Sequence, residues 1–203
     1  MFLNPKPIYD AAAEFDNLPG IGPRAALRFA YWLVTQPKEK IRRFAQALLA
    51  LSEGVTRCSV CGAWSETPIC SICSDTKRDK SVLCVVATNQ DLRVIEESAA
   101  YKGIYHVLGG LLDPIEGVTP ETLAISQLTK RLMSSESGIS EIILAFDPDV
   151  RGDTTALFLI KKLEPLELNV SRLARGLPNG AQLEYADGAT VASALANRKN
   201  TVN

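Results

Sequence analysis

Four cysteines stand in two tight pairs, Cys58, Cys61, Cys70 and Cys73, spaced C-x2-C-x8-C-x2-C. A C-x-x-C pair turns two thiolates back onto one ion, and two such pairs complete the tetrahedral shell that Zn2+ prefers. All four donors are protein sulfur, so no position stays open for water or substrate, and the expected role is structural. Two disulfides or a redox-active pair are the other readings of the same spacing. A second group with chemical content is Asp147-Pro148-Asp149, which follows an apolar run from Glu141 to Phe146. Carboxylates at the carboxyl end of a parallel strand face the crevice where α/β sheets place ligands, and an Asp-x-Asp pair there could hold Mg2+, a cation that takes oxygen ligands. Read more plainly, Asp147 and Pro148 make an ordinary turn and Asp153 caps the helix that Gly152 enters.

A third group is Leu18-Pro19-Gly20-Ile21-Gly22, with Arg24 and Arg28 beyond it. The string has the form of a helix-hairpin-helix, whose turn amides and following helix N-terminus can face a phosphate without reading base sequence. Arg24 and Arg28 are four apart, so they share one helix face. Lys38, Lys40, Arg42 and Arg43 extend the local positive charge, interrupted by Glu39 alone. The same features also describe a packing turn with a solvated basic face. Gly20, Gly22 and Ala25 match a loose G-x-G-x-x-A nucleotide fingerprint, but no strand precedes them, which removes that reading. His106, the only histidine, has no partner visible in the sequence. Neither a G-x-S-x-G elbow nor a Walker A loop occurs, which excludes ATP hydrolysis by the latter route.

The elements that position these groups fall into two grammars. Leu18–Gly22 separates helical segments, with Pro23 suited to the first turn of the second and Pro37 opening a third in which Phe44, Leu48 and Leu51 keep helical spacing up to Gly54. From Ser81 onward short apolar runs alternate with helical ones. Strands are expected at Val82 to Val86, Ile104 to Leu108, Glu141 to Phe146 and Leu166 to Leu173. Helices are expected from Thr88 toward Ala100 behind a capping box, from Thr119-Pro120 to Met133, from Gly152 to Leu163 and from Ala189 to Arg198. Strands separated by helices imply parallel pairing through right-handed crossovers.

With 203 residues the chain can bury a real core. Its 22 basic and 23 acidic residues create no global field, so any DNA contact must come from a local patch. No stretch approaches the roughly 20 apolar residues that span a bilayer. The start, Met1 to Pro7, lacks a signal-peptide run, and the paired thiols suit a reducing cytoplasm. Cys84, set in Val82-Leu83-Cys84-Val85-Val86, reads as a small buried hydrophobe.

Taken in order, the hairpin, the cysteine quartet, the Asp-x-Asp segment and Arg172-Leu-Ala-Arg-Gly-Leu-Pro-Asn-Gly180 resemble the bacterial RecR family of recombination mediators. Tyr105-His106-Val-Leu-Gly-Gly110, Gly152-Asp-Thr-Thr-Ala156 and Gln182-Leu-Glu-Tyr-Ala-Asp187 add to the likeness, which covers nearly the whole chain. The resemblance implies an α/β protein with a helix-hairpin-helix region at 1–54, a four-cysteine zinc finger at 55–78, a Toprim domain at 79–165 and a C-terminal strand–helix segment at 166–203. That last segment would complete the sheet and make oligomer contacts. It further implies a non-enzymatic protein that forms dimers and tetrameric rings around DNA and acts with RecO, and in some settings RecF, to load RecA onto single strands. Arg24 and Arg28 would be the DNA contacts, and Cys58, Cys61, Cys70 and Cys73 the zinc ligands. Two departures stand out. A Toprim enzyme typically ends its first strand with glutamate, where this chain has Ala87, and Arg151 stands where the family often has an acid. Both weigh against the alternative, a Mg2+-dependent phosphotransferase or nuclease working through Asp147 and Asp149.

Overall fold

The computed structural model describes residues 4–134 and 138–199. The opening residues Met1, Phe2 and Leu3, and the end of the expected C-terminal segment at 200–203, lie outside the described residues. The chain divides into two compact units, Met1–Val55 and Thr56–Asn203.

The first unit is helical. Helix α1 (Lys6–Asp16) and helix α2 (Pro23–Val34) pack together, with Phe15 and Phe29 edge to face at 5.9 Å. Ala26 and Ala30, four apart on α2, are the residues buried there, because small side chains let two helices approach closely. Between the helices the Ile21 N–H donates to the Leu18 carbonyl at 3.1 Å. Pro19 supplies the fixed φ of that turn's second position, and Gly20 takes φ +79° at its third, where a side chain would be strained. Helix α3 (Lys38–Gly54) follows the Pro37 cap, and Phe44, Leu48 and Leu51 lie exposed along it.

The second unit is built on a four-stranded parallel sheet. Strands β1 (Thr56–Arg57) and β2 (Trp64–Ser65) form a small antiparallel ribbon, followed by the single-turn helix α4 (Ser71–Ser74). The sheet comprises β3 (Asp79–Val86), β4 (Gly103–Val107), β5 (Glu141–Ala145) and β6 (Asn169–Arg172) in the order β4-β3-β5-β6. Helices α5 (Asn89–Glu97), α6 (Ile125–Met133), α7 (Val150–Leu163) and α8 (Gly188–Ala196) complete it.

Strand periodicity divides the apolar runs between the two faces. Leu83, Val85, Ile104, Leu108, Ile142 and Leu144 pack with Leu128 and Leu132 of α6 and with Ala156, Leu159 and Leu163 of α7. Cys84, Val86, Tyr105, Val107 and Ala145 point the other way, toward Leu92 of α5 and the four paired cysteines, of which Cys73 is only partly buried. A sheet covered on both faces explains why its strands read as continuous apolar runs.

Of the expected boundaries that move, two have a clear tertiary cause. The helix expected from Thr119-Pro120 begins only at Ile125. Its first residues are instead tied to the end of β4, where the Ala124 N–H donates to the Leu108 carbonyl at 2.9 Å and Nε2 of the buried His106 meets the Ala124 carbonyl at 2.9 Å. The strand expected from Leu166 is shortened to Asn169–Arg172, because Glu164–Leu166 is a 3-10 turn and Glu167 takes φ +52° to reverse the chain. Leu166 and Leu168 still pack against the core, so their apolar signal reports burial rather than strand.

Candidate metal centre and nucleic-acid interface

The cysteine quartet converges. Its four Sγ atoms all lie within 4.8 Å of one another, and Cys58, Cys61 and Cys70 are buried while Cys73 is half-buried. Around a tetrahedral Zn2+ with Zn–S of ~2.3 Å, the sulfurs stand roughly 3.8 Å apart. Cys61 and Cys70, at 3.6 Å, already match that spacing, whereas a disulfide needs about 2.0 Å. Backbone amides point at the sulfurs, Cys70 N–H at Cys58 Sγ (3.3 Å) and Cys73 N–H at Cys70 Sγ (3.4 Å), as donors to thiolates do. Hydrogen bonding from the Cys73 thiol holds Cys61 down to about 5 despite its burial. Cys73 is pushed up by that same bond and Cys70 by burial, so these two resist ionising beside the Cys61 thiolate unless a cation stands among them. The donor set fits structural zinc. Its setting differs from a free-standing insertion, since the Val107 N–H donates to the Cys61 carbonyl at 2.8 Å and ties the knuckle to the end of β4.

In the helical unit, Arg24 and Arg28 lie exposed on one face of α2. Among the described residues neither pairs with a carboxylate, and Arg28 lies 5.7 Å from the Phe29 ring centre. Gly22 caps α2 without a side chain and Pro23 opens it, so no capping side chain takes up the amides of its first turn.

The Asp-x-Asp segment sits where β5 ends, beside the point at which the chain turns from one side of β3 to the other. Asp149, not Asp153, caps α7, its Oδ1 accepting from the Gly152 N–H at 2.7 Å. The exchange follows from where the helix starts: Val150 is its first residue, which carries Asp153 past the capping position. A Cβ on Gly152 would stand 2.0 Å from the Asp147 carbonyl oxygen, so the turn closes only on glycine. Arg151 lies 3.7 Å from both Asp149 and Asp113. Among the described residues the four cysteines are the one group of three or more such donors placed to share an ion. Asp147 and Asp149 remain a pair with one oxygen committed to the helix cap.

Three side chains that the sequence reading had not joined meet beside this turn. Asp153 accepts from both Arg172 and Arg175, and Arg175 Nη1 reaches its Oδ2 at 3.2 Å. Arg175, with Arg172 second, pulls the Asp153 carboxyl down to about 2. The two arginines edge a crevice of about 690 Å3 at the carboxyl ends of β5 and β6, lined also by Asp147, Phe146 and Ser193. No local signal could have found the cluster, because it depends on β6 pairing next to β5. His106 has its Nδ1 buried without a partner, and burial depresses the ring to about 4. It is a neutral packing residue whose Nε2–H faces the Ala124 carbonyl, and the charged group that acts on it is the Arg131 guanidinium, which relays no proton.

Comparison with known proteins agrees with this layout. Family models match in collinear order: the RecR helix-hairpin-helix at 8–51, the RecR four-cysteine zinc finger domain at 55–75, a Toprim domain at 81–174 and the RecR C-terminal region at 176–199. The recombination protein RecR of Prochlorococcus marinus strain MIT 9313 is 50% identical over 186 residues, covering 92% of this chain and 97% of the relative. That of Treponema denticola is 47% identical over 185 residues, covering 91% and 94%. Among the described residues, no helix is long and apolar enough to cross a membrane. A hairpin, a four-sulfur zinc site and a parallel Toprim sheet, in this order and at this identity, place the chain in the RecR family of recombination proteins.

Proposed function

We propose that this protein is a non-catalytic, cytoplasmic DNA-binding mediator of recombinational repair. In this reading identical subunits pair into dimers and close into tetrameric rings around DNA. With RecO, and in some settings RecF, the ring loads RecA onto single strands. The observation that carries the reading is the hairpin: a left-handed Gly20, an open first turn of α2, and Arg24 and Arg28 exposed on one face with no acidic partner among the described residues. Such a surface holds phosphates without reading bases, giving salt-sensitive and sequence-independent affinity. With a net charge of −1 a single subunit binds DNA weakly. Several hairpins on one ring raise the effective concentration of contacts, and topological linkage then slows escape.

A non-catalytic role is supported by three features at the carboxyl ends of β3 and β5. Ala87 supplies neither acid nor metal ligand, one Asp149 oxygen is engaged in the helix cap, and Arg151 stands beside it as a competing cation. Any Mg2+ at Asp147 and Asp149 is weak on this reading. The test is a gel-shift titration on a gapped duplex with Mg2+ present, each sample also run under denaturing conditions. A shift that fades with salt and leaves every strand intact is expected. Cut strands would make the crevice an active site and overturn the proposal.

A further inference from the structure

The zinc knuckle offers a second surface suited to DNA, and its chemistry differs from that of the hairpin. Trp64 is 58% exposed at the tip of the β1–β2 ribbon. Among the described residues neither a ring nor a cation lies over its indole, whereas Lys40 sits 4.6 Å from the ring centre of Trp32, the other tryptophan. The backbone that carries it is fastened at two points. Its backbone N–H donates to Asn89 Oδ1 at 2.8 Å, and the ribbon beneath it is fastened to the cysteine quartet by the Cys58 N–H to Ala63 carbonyl bond at 2.7 Å.

What surrounds the indole resembles the needs of one ligand. Arg57 stands directly across the ribbon in register with Trp64, so the two side chains share a face. Arg57 is exposed and, among the described residues, pairs with no carboxylate. Trp64 also lines a cleft of about 290 Å3 together with Asn89, Gln90 and Arg93 and the apolar Ala63, Ile72 and Leu92. A flat π-surface, a free guanidinium beside it and side-chain amides in the cleft match the base face, the phosphate and the base edges of an unpaired nucleotide.

We propose that Trp64 and Arg57 form a stacking site for a nucleotide of single-stranded DNA, with Asn89 and Gln90 facing the base edge. The site tolerates any sequence, since every base has a π-face. It deepens the DNA-binding reading and rests on it, adding single-strand affinity to the backbone contacts of the hairpin.

The experiment uses the full-length zinc-loaded protein. With Trp32→Phe as background, Trp64 is the sole indole, and titration with single-stranded oligo(dT) should quench its emission. By anisotropy of labelled oligo(dT), Trp64→Ala should bind roughly tenfold more weakly, Trp64→Phe should recover most of that loss, and Arg57→Gln should weaken binding and flatten its salt dependence. Zinc content and melting temperature compared across the variants separate a lost contact from a lost fold. If Trp64→Ala does not fold, quenching in the Trp32→Phe background and the Arg57→Gln titration decide. Equal oligo(dT) affinity in wild type and Trp64→Ala, or no quenching, would overturn the site and leave the cleft to a peptide. Retention of a gapped duplex is measured alongside in Arg24→Ala/Arg28→Ala. Failure of the hairpin reading therefore shows in the duplex arm, and failure of the stacking site in the single-strand arm.

Discussion

Arg24 and Arg28 are free to meet phosphate because α2 begins with proline, is capped by glycine and carries no acid in its first turn. Each guanidinium that leaves water for a phosphate releases counterions, so its contribution appears as salt dependence. Arg24→Ala with Arg28→Ala should abolish retention on a gapped duplex while the protein elutes with an unchanged assembly state. The salt slope should fall by about one for each phosphate contact removed. Size-exclusion chromatography beside the gel shift checks both, and a collapsed assembly would reassign the arginines to subunit packing. His106 makes a second residue-scale prediction. Burial lowers its folded pKa to about 4, below the ~6.5 expected of an unfolded chain. The unfolded state therefore takes up the proton first as pH falls, and stability present above pH ~6.5 is lost progressively down to pH ~4. Between about pH 7 and pH 5 the loss should be ~2 kcal/mol. Urea titrations at the two pH values should show it in the wild type and not in His106→Gln, which keeps a donor but does not titrate.

At the scale of elements, the turn from β5 into α7 governs what the strand-end crevice can do. The helix starts so close to the strand that Gly152 lies against the Asp147 carbonyl, and Asp149 must supply the cap. Gly152→Ala should push the two apart at a cost of roughly 1–3 kcal/mol, read as a lower urea midpoint. An unchanged midpoint would mean that the turn relaxes at no cost. The same closeness engages one Asp149 oxygen in the helix cap, which leaves the Asp-x-Asp pair fewer oxygens to offer a cation. Asp153, released from capping, is left to hold Arg172 and Arg175, so it joins α7 to the segment that leaves β6.

For the molecule as a whole, the zinc centre belongs to the core of the second unit. Cys58, Cys61 and Cys70 share one apolar cluster with Cys84, Val86, Tyr105 and Val107 on a sheet face. Removing the metal would leave four crowded sulfurs to share protons inside that cluster and would free the knuckle from the sheet. Chelation, or Cys61→Ser, should lower the melting temperature of the Toprim-bearing unit and expose apolar surface to a hydrophobic dye. A chelated protein with unaltered melting and no dye binding would show that the knuckle's packing, and not its metal, holds that face.

Much of this was legible in the chain. Cysteine spacing, the Pro-Gly turn, the Thr88–Asp91 capping box and the alternation of apolar runs each arise from interactions within a few residues, and local chemistry decides them. The capping box forms as the spacing predicts, with Thr88 N–H donating to Asp91 Oδ2 at 2.8 Å. Other features depend on which strands become neighbours. The late start of α6 follows from its tether to β4, the Asp153–Arg172–Arg175 cluster from β6 lying beside β5, and the seating of the knuckle from the one sheet face that α6 and α7 leave uncovered. By itself the sequence determined which residues could bind metal and phosphate and which segments could be helix or strand, because those properties reside in side-chain chemistry and short-range periodicity. Only the tertiary structure decided which carboxylates stay available, where the zinc site packs and which indole stays bare, because burial and partnership are set by contacts between residues far apart in the chain.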